Sequence, residues 1–431
     1  MSLLSPQVGI VAQAGGSGKT PAEELYAKLT VAAAVFLVVL QISYLVLLAV
    51  VPSDHWMENT EFVVGRDFLN TWMGGRSLFS GGPAPWFDYH VYNQALQQLF
   101  GSSYPEAYWS YPPHMVLFIW PLGLMPYVTA YVSWCLVGVA LYLYASSLAI
   151  PRDRLLFLAV APGIAVCAFF GQNGFYTAAL LIGGLFSLDR RPILAGVLFG
   201  ILTIKPQLGL LLPIVLLLER RWLTVASAIV TSAVLVAVTC MLFGASIWLE
   251  FWQKVVPQQV WLTETSNGLL YAMVGTPFYA ARMLFLPLKA AWAVQYAASA
   301  LAVAAVVWTY WKRRDRDLSF ALLITATFLF TPYILNYDMV IFGFIAALLR
   351  DRADNAEFDH RLYIAVWTLP ATMMLAAVAL IPLAPIVLIA FAARLVWRLR
   401  RGGEGEIKPL AELSAQSGSA ARFSGALSLP T

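Results

Sequence analysis

Glu61-Phe-Val-Val-Gly-Arg-Asp-Phe-Leu-Asn-Thr-Trp72 opens the only long interval in the first half of the chain, Val51 to Tyr127, that a lipid bilayer would reject. Asp67 is followed at helical spacing by Phe68, Leu69 and Trp72, the pattern of a helix lying on a membrane surface with a carboxylate at the water edge of an apolar wall. The interval continues through a Gly/Pro turn at Gly81-Gly-Pro-Ala-Pro85 and a second amphipathic stretch from Asp88 to Phe100. It then runs through Tyr108-Trp-Ser-Tyr-Pro-Pro113 into a short apolar segment broken by Pro121 and Pro126. This pattern predicts the catalytic face of a membrane enzyme.

On either side the chain is dominated by apolar sequence. Of 431 residues, 60% are hydrophobic and only 12% charged, a balance that belongs to polytopic membrane proteins and not to soluble domains. The net charge of +4 sits in short Lys/Arg runs between apolar segments, and no basic patch interleaves with stacking aromatics, so nucleic acid is not an expected partner. Cys135, Cys167 and Cys240 each fall within apolar sequence and read as small buried hydrophobes, not as a disulfide framework or metal site.

The basic clusters orient the chain. If Arg152-Asp-Arg154, Arg190-Arg191, Arg220-Arg221, Lys312 to Arg316, Arg350 to Arg361 and Arg394 to Arg401 are all cytosolic, one path of about twelve spans satisfies nearly all of them. The spans fall near 29–51, 128–149, 154–171, 174–188, 192–204, 207–219, 222–243, 289–311, 317–333, 339–349, 362–380 and 382–397. Several are shorter than the usual ~20 residues. Residues 113–126 then form a half-inserted or surface segment. The expected fold is therefore all-α, a polytopic integral membrane protein with a long first extracytoplasmic loop carrying surface helices. Residues 1–28 read as a disordered cytosolic tail, 29–400 as the transmembrane domain with its outer loop at 52–127, and 401–431 as a second disordered cytosolic tail.

The outer face then receives nearly all polar residues that interrupt apolar sequence without joining a basic cluster. Lys205 lies between two apolar runs and precedes Pro206, which disfavours continuous helix. An unpaired ammonium at such a depth costs roughly 2.5–3.5 kcal/mol, so Lys205 is either snorkelling or a ligand for a lipid phosphate. Gln172 and Asn173 sit between glycines in a tight turn and offer neutral donors and acceptors for sugar hydroxyls or phosphate oxygens. Asp338, in Asn336-Tyr-Asp338, is a helix cap, a partner for Lys205 or a second acid.

Three motifs are decoys. Gly15-Gly-Ser-Gly-Lys-Thr20 lacks the glycine five residues before Gly18 and the preceding strand that a phosphate-binding loop needs. Asp315-Arg-Asp317 has a metal-binding form but lies in a basic run at a span end, and His55, His90, His114 and His360 are too scattered for a local metal site. Neither a metal nor a cofactor is predicted.

Taken in order, Gly65-Arg-Asp67-Phe68, Tyr111-Pro-Pro113, Gly171-Gln-Asn173, Lys205-Pro-Gln207 and Tyr337-Asp338 resemble glycosyltransferase family 87, polyprenol-phosphate-mannose-dependent α-mannosyltransferases of the glycosyltransferase-C fold. The resemblance implies metal-independent, inverting transfer of a hexose, with mannose as the candidate, at the outer face of the cytoplasmic (inner) membrane, facing the periplasm or cell exterior. The donor would be a polyprenyl-phosphate sugar, the acceptor a hydroxyl of a glycolipid or glycan, and membrane lipid the surrounding partner. Asp67 matches the family's catalytic aspartate. Arg66, Asn70, Tyr111, Gln172, Asn173, Lys205, Gln207, Tyr337 and Asp338 are the candidate substrate contacts. Relatives carry histidine where this chain has Asn336-Tyr-Asp338, which leaves the acceptor and any second base open. A sugar hydroxyl is a poor nucleophile and needs a base; a phosphate leaving group needs a cation, for which Arg66 and Lys205 are candidates. The competing class is a transporter or flippase, which would also need intramembrane polar groups but leaves the long outer loop unexplained.

Overall fold

The structure is a computed structural model and describes residues 21–50, 62–266, 268–312, 314–353 and 356–401. The expected C-terminal tail beyond Arg401, the Gly15–Thr20 motif and the start of the outer loop at 52–61 lie outside the described residues. Within them the protein is predominantly helical, with an isolated antiparallel bridge between Val274 and Leu335. Helix α1 (Pro21–Val50) begins earlier than the expected tail boundary: residues 21–28 are helical. Tyr26 explains why, because its fully buried side chain hydrogen-bonds through its hydroxyl to His360 Nδ1 at 3.0 Å and ties the first turns to the helix Ala356–Val378.

Among the described residues, four helices are long and apolar enough to cross a membrane: α5 (Tyr127–Ser147) and the helices Trp222–Phe243, Leu288–Trp311 and Glu357–Val378. The protein is an all-α membrane protein. Between these helices run shorter apolar pieces such as Gly174–Ser187 and Pro192–Ile204. At 1.5 Å per residue the ten-residue helix Pro192–Ile201 is about 15 Å long, half the hydrocarbon thickness, so the expected count of twelve spans does not follow from helix length. Cys135, Cys167 and Cys240 are free thiols.

The loop between α1 and α5 has a hydrophobic core of its own. Val63, Phe68, Trp72, Tyr92, Trp109 and Ile119 are buried together, joined by Ile204, Ile247 and Val255 from later turns. This core changes the reading of helix α2 (Phe68–Ser77): eight of its ten residues are buried, so it is the centre of the loop and not a helix lying on a surface. The reason is a second layer that sequence spacing does not reveal. Helix α3 (Tyr89–Phe100) covers one side, burying only Tyr92, Asn93 and Leu96, with Asp88 capping it through bonds from the His90 and Val91 amides. Helix α4 (Val116–Gly123) covers another, so tightly that a Cβ at Gly123 would lie 2.3 Å from Arg76 N, and one at Gly75 2.5 Å from the Ile119 carbonyl oxygen. With eight residues, α4 is too short to cross a bilayer.

Candidate active site

Four breaks between helices converge at the inner edge of this loop. The first is Val63 to Asp67, where Gly65 at φ +78° and Arg66 at φ +39° turn the chain sharply and deliver Asp67 to the N-terminus of α2. The second, Gly171-Gln-Asn173, joins the helices Pro162–Phe169 and Gly174–Ser187. Gly171 sits at φ +59° with its would-be Cβ 2.4 Å from the Phe68 Cβ, so a glycine is needed both for the backbone conformation and for the approach of α2. The third is Lys205, extended between the short turns Leu202–Ile204 and Pro206–Leu208, as a following proline demands. The fourth is the turn Asn336–Val340.

These turns are linked by two hydrogen-bonded sets that the Gln172–Asn173 peptide joins into one network. Tyr111 donates its hydroxyl to Gln172 Oε1 at 3.1 Å, which fixes the amide so that Nε2 donates to Asp67 Oδ2 at 2.9 Å. One residue further, Asn173 Oδ1 accepts from Lys205 Nζ at 3.2 Å, and the same ammonium bonds Asp338 Oδ1 at 2.5 Å while lying 4.9 Å from the Tyr337 ring centroid. Asp338 is both partner and cap, because its other oxygen accepts from the Leu335 amide at 3.3 Å. Lys205 is only 7% exposed; it is held inward and does not snorkel to water.

Seven of the predicted residues, Asp67, Tyr111, Gln172, Asn173, Lys205, Tyr337 and Asp338, therefore meet. Three do not join the network. Arg66 packs its guanidinium over the Phe169 ring at 4.9 Å and the Phe62 ring at 5.2 Å, beside Asp67 but turned toward aromatics. Asn70 donates to the Tyr108 carbonyl at 3.2 Å and accepts from the Tyr92 hydroxyl, bracing the loop. Gln207 is half-buried and its side chain forms no hydrogen bond among the described residues. The Asp315-Arg-Asp317 motif is structural: Asp315 caps the helix Arg316–Phe330, and Arg352 pairs with Asp315 at 2.8 Å and Asp317 at 2.9 Å.

Electrostatics single out Asp67. Burial raises its carboxyl above the usual carboxylate range, and the Gln172 amide, Arg66 and Lys205 pull it back toward the charged form. The phenols of Tyr111 and Tyr337 are pushed upward, first by burial and then by the nearby Asp67 carboxylate, so both remain protonated donors. Tyr333 lies close enough to feel the charges of Asp67 and Asp338 and is a member of this centre that sequence reasoning missed. Its place one residue after Pro332, at the end of an apolar run, was the available signal. Thr71 was missed as well, although it lies four residues after Asp67 and hence on the same helical face. Thr71 Oγ1 and Asn173 Nδ2 are buried and meet no partner at hydrogen-bond geometry among the described residues, although Thr71 Oγ1 faces the Tyr111 hydroxyl.

A half-buried carboxylate with a raised affinity for its proton, beside a buried ammonium and gathered at helix breaks of an all-α membrane protein, is the kind of centre that handles a polar group at membrane depth. The sequence model of glycosyltransferase family 87 matches residues 109–332, a little over half of the chain, and the chain belongs to that family. It is a membrane glycosyltransferase, working between a sugar donor and an acceptor. Tyr111, Gln172, Asn173, Lys205 and Gln207 fall inside the matched segment, whereas Asp67, Tyr337 and Asp338 lie outside it. No curated protein and no solved structure matches the chain.

Proposed function

We propose that the protein transfers a hexose, with mannose the first candidate, from a polyprenyl-phosphate sugar to a hydroxyl of a glycan or glycolipid, with inversion and without a metal, at the outer face of the cytoplasmic membrane. The membrane domain then has a glycosyltransferase-C fold of about twelve spans, completed by the shorter apolar helices. The observation that carries this function is the Tyr111–Gln172–Asp67 relay joined through Asn173 to Lys205.

In this scheme Asp67 accepts the proton of the acceptor hydroxyl as its oxygen bonds to the anomeric carbon. The bond from that carbon to the phosphate oxygen breaks on the opposite side, and its electron pair leaves with the lipid phosphate. The departing oxygens already carry charge and need a cation and donors, which Lys205 and the phenols of Tyr333 and Tyr337 supply. Thr71 Oγ1 and Asn173 Nδ2 are available to bond substrate. Asp338 holds Lys205 in place, so the ammonium is oriented before the donor arrives. A carboxylate raised by burial suits a base, since its affinity for the proton is greater than that of a solvated one.

The test is whether purified protein, given a lipid-phosphate mannose, releases lipid phosphate only when an acceptor saccharide is present. Release that depends on acceptor supports transfer. Movement of intact donor across a vesicle with no cleavage would instead establish the flippase reading.

A further inference from the structure

The loop also carries a cavity whose lining includes none of the residues gathered around Asp67. It holds about 720 Å³, within the range of small-molecule sites, between the start of α3, the stretch after Tyr104 and the helix Val256–Thr265. Its walls carry Asp88, Tyr89, Glu106, Tyr108, Gln258 and Trp261. Tyr89 and Tyr108 are stacked with ring centroids 5.1 Å apart at 26°, and Trp261 continues the row 6.2 Å from Tyr108. This aromatic row remains open at one end, where Trp261 is 53% exposed.

We infer that this groove binds a neutral sugar of the acceptor chain, next to the one whose hydroxyl is glycosylated. The inference rests on the transferase reading proposed above and adds to it the acceptor's class, an oligosaccharide. Aromatic faces carry negative potential, and the C–H bonds on one face of a pyranose carry the complementary positive edge, so the exposed Trp261 ring at the end of this row is a surface for a stacked sugar. Sugar hydroxyls take the remaining groups: Glu106 offers acceptors, and the Gln258 amide offers both a donor and an acceptor. Asp88 and Glu106 line the groove against one ammonium, Lys254, which is paired with Glu250 at 3.2 Å; the balance favours a neutral saccharide over an anionic one. The same carboxylates make a poor seat for acyl chains, although an exposed tryptophan alone would suit a membrane interface.

Two connections place the groove in register with Asp67. Asn70, three residues after Asp67, donates to the carbonyl of Tyr108. Tyr111, whose hydroxyl orients Gln172, follows Tyr108 by three residues of non-helical chain, so their Cα atoms are at most about 11 Å apart. A saccharide stacked on Trp261 beside Tyr108 therefore lies next to the strip of chain that leads to Tyr111 and the Asp67 site. Ser110 lies between the two and accepts from the Gln259 amide at 3.1 Å, fastening the groove's far wall to this strip of chain.

The test uses the full-length protein in detergent, wild type and the exposed-site variants Trp261→Ala and Glu106→Gln, with mannotriose and maltotriose as probes. Saturation-transfer NMR without any donor should detect binding of at least one trisaccharide to the wild type, weakened about tenfold in Trp261→Ala. In the transfer assay the acceptor KM should rise by a similar factor while donor Kd stays unchanged. No trisaccharide binding by the wild type, or equal binding by wild type and Trp261→Ala, overturns the inference; equal binding is the result an interfacial anchor would give. Failure of the transferase reading looks different: binding that depends on Trp261, with no acceptor-dependent cleavage of the donor.

Discussion

Lys205 and Asp338, 133 residues apart in sequence, meet at 2.5 Å with side chains 9% and 0% exposed. Neither charge has water to fall back on. Removing one partner of such a pair leaves the other charge buried alone, at a cost of about 3–5 kcal/mol, whereas removing both costs less. Lys205→Ala should therefore lower thermal stability more than the double variant Lys205→Ala/Asp338→Ala, by differential scanning fluorimetry. In transfer assays both should lose donor use by about 1.5–3 kcal/mol, the worth of a bond to a charged group. Unchanged donor affinity in both would reduce Lys205 to a structural ion.

Asp67→Asn keeps the size of the side chain and an oxygen for the Gln172 amide but cannot accept a proton. Transfer should fall roughly 10²–10⁴-fold with donor binding intact. Asp67→Glu should also be poor, since a displacement near 1 Å can cost ~10²-fold. Wild-type rates in the Asn variant would exclude Asp67 as the base.

Acid should inactivate the enzyme at a higher pH than an ordinary carboxylate would require. Because burial raises the Asp67 carboxyl, the basic form is lost as pH falls through that raised value, which lies above the usual ~3.9. Stability moves the other way. The folded state holds this proton more tightly than the unfolded chain, so Asp67 contributes a gain in stability as pH falls through the folded value, complete below the unfolded one. The check is the acidic limb of kcat/KM alongside the melting temperature. A limb no higher than an exposed aspartate gives would remove the role assigned to burial.

Tyr111→Phe deletes only the hydroxyl that aims the Gln172 amide. The loss should be one neutral hydrogen bond, about 0.5–1.5 kcal/mol, seen as a fall of roughly two- to tenfold in kcat with little change in donor KM. Gln172→Leu removes the bond to Asp67 itself and should cost more. Equal effects from the two would mean that Tyr111 does not act through Gln172.

Orientation is open to single-cysteine labelling in a cysteine-free background. Ser102 and Arg191 are both exposed, on the loop and in a basic cluster respectively. A membrane-impermeant reagent applied to intact cells should reach Ser102→Cys and spare Arg191→Cys. The reverse pattern would turn the proposed topology over.

Much of this centre is legible in the amino-acid sequence because each of its polar residues interrupts an apolar run, and in a membrane protein such an interruption needs a cause. That logic finds Gln172, Asn173, Lys205 and Asp338, and it offers pairing with Lys205 as one of three roles for Asp338. It misses Thr71 and Tyr333 because threonine and tyrosine are tolerated in apolar sequence and raise no alarm. It reads α2 as a surface helix because helical spacing reports one apolar face, while burial on the remaining sides depends on Trp109, Ile119 and Tyr92, brought in by tertiary contact. The all-helical architecture is legible in composition. The number of crossings is not, since helices as short as Leu212–Leu218 give hydropathy no fixed length to count.

Gln172 reaches the carboxylate and its neighbour Asn173 reaches the ammonium, so a single peptide unit is the gauge that sets the separation between the two halves of the chemistry. Consecutive Cα atoms stand about 3.8 Å apart whatever the rest of the protein does. A helix that tilts or a loop that breathes carries both settings with it and leaves their difference unchanged. Lengthening this turn by one residue should therefore be far more harmful than an insertion at the exposed Gly101–Ser103 tip. It would alter the calibration itself.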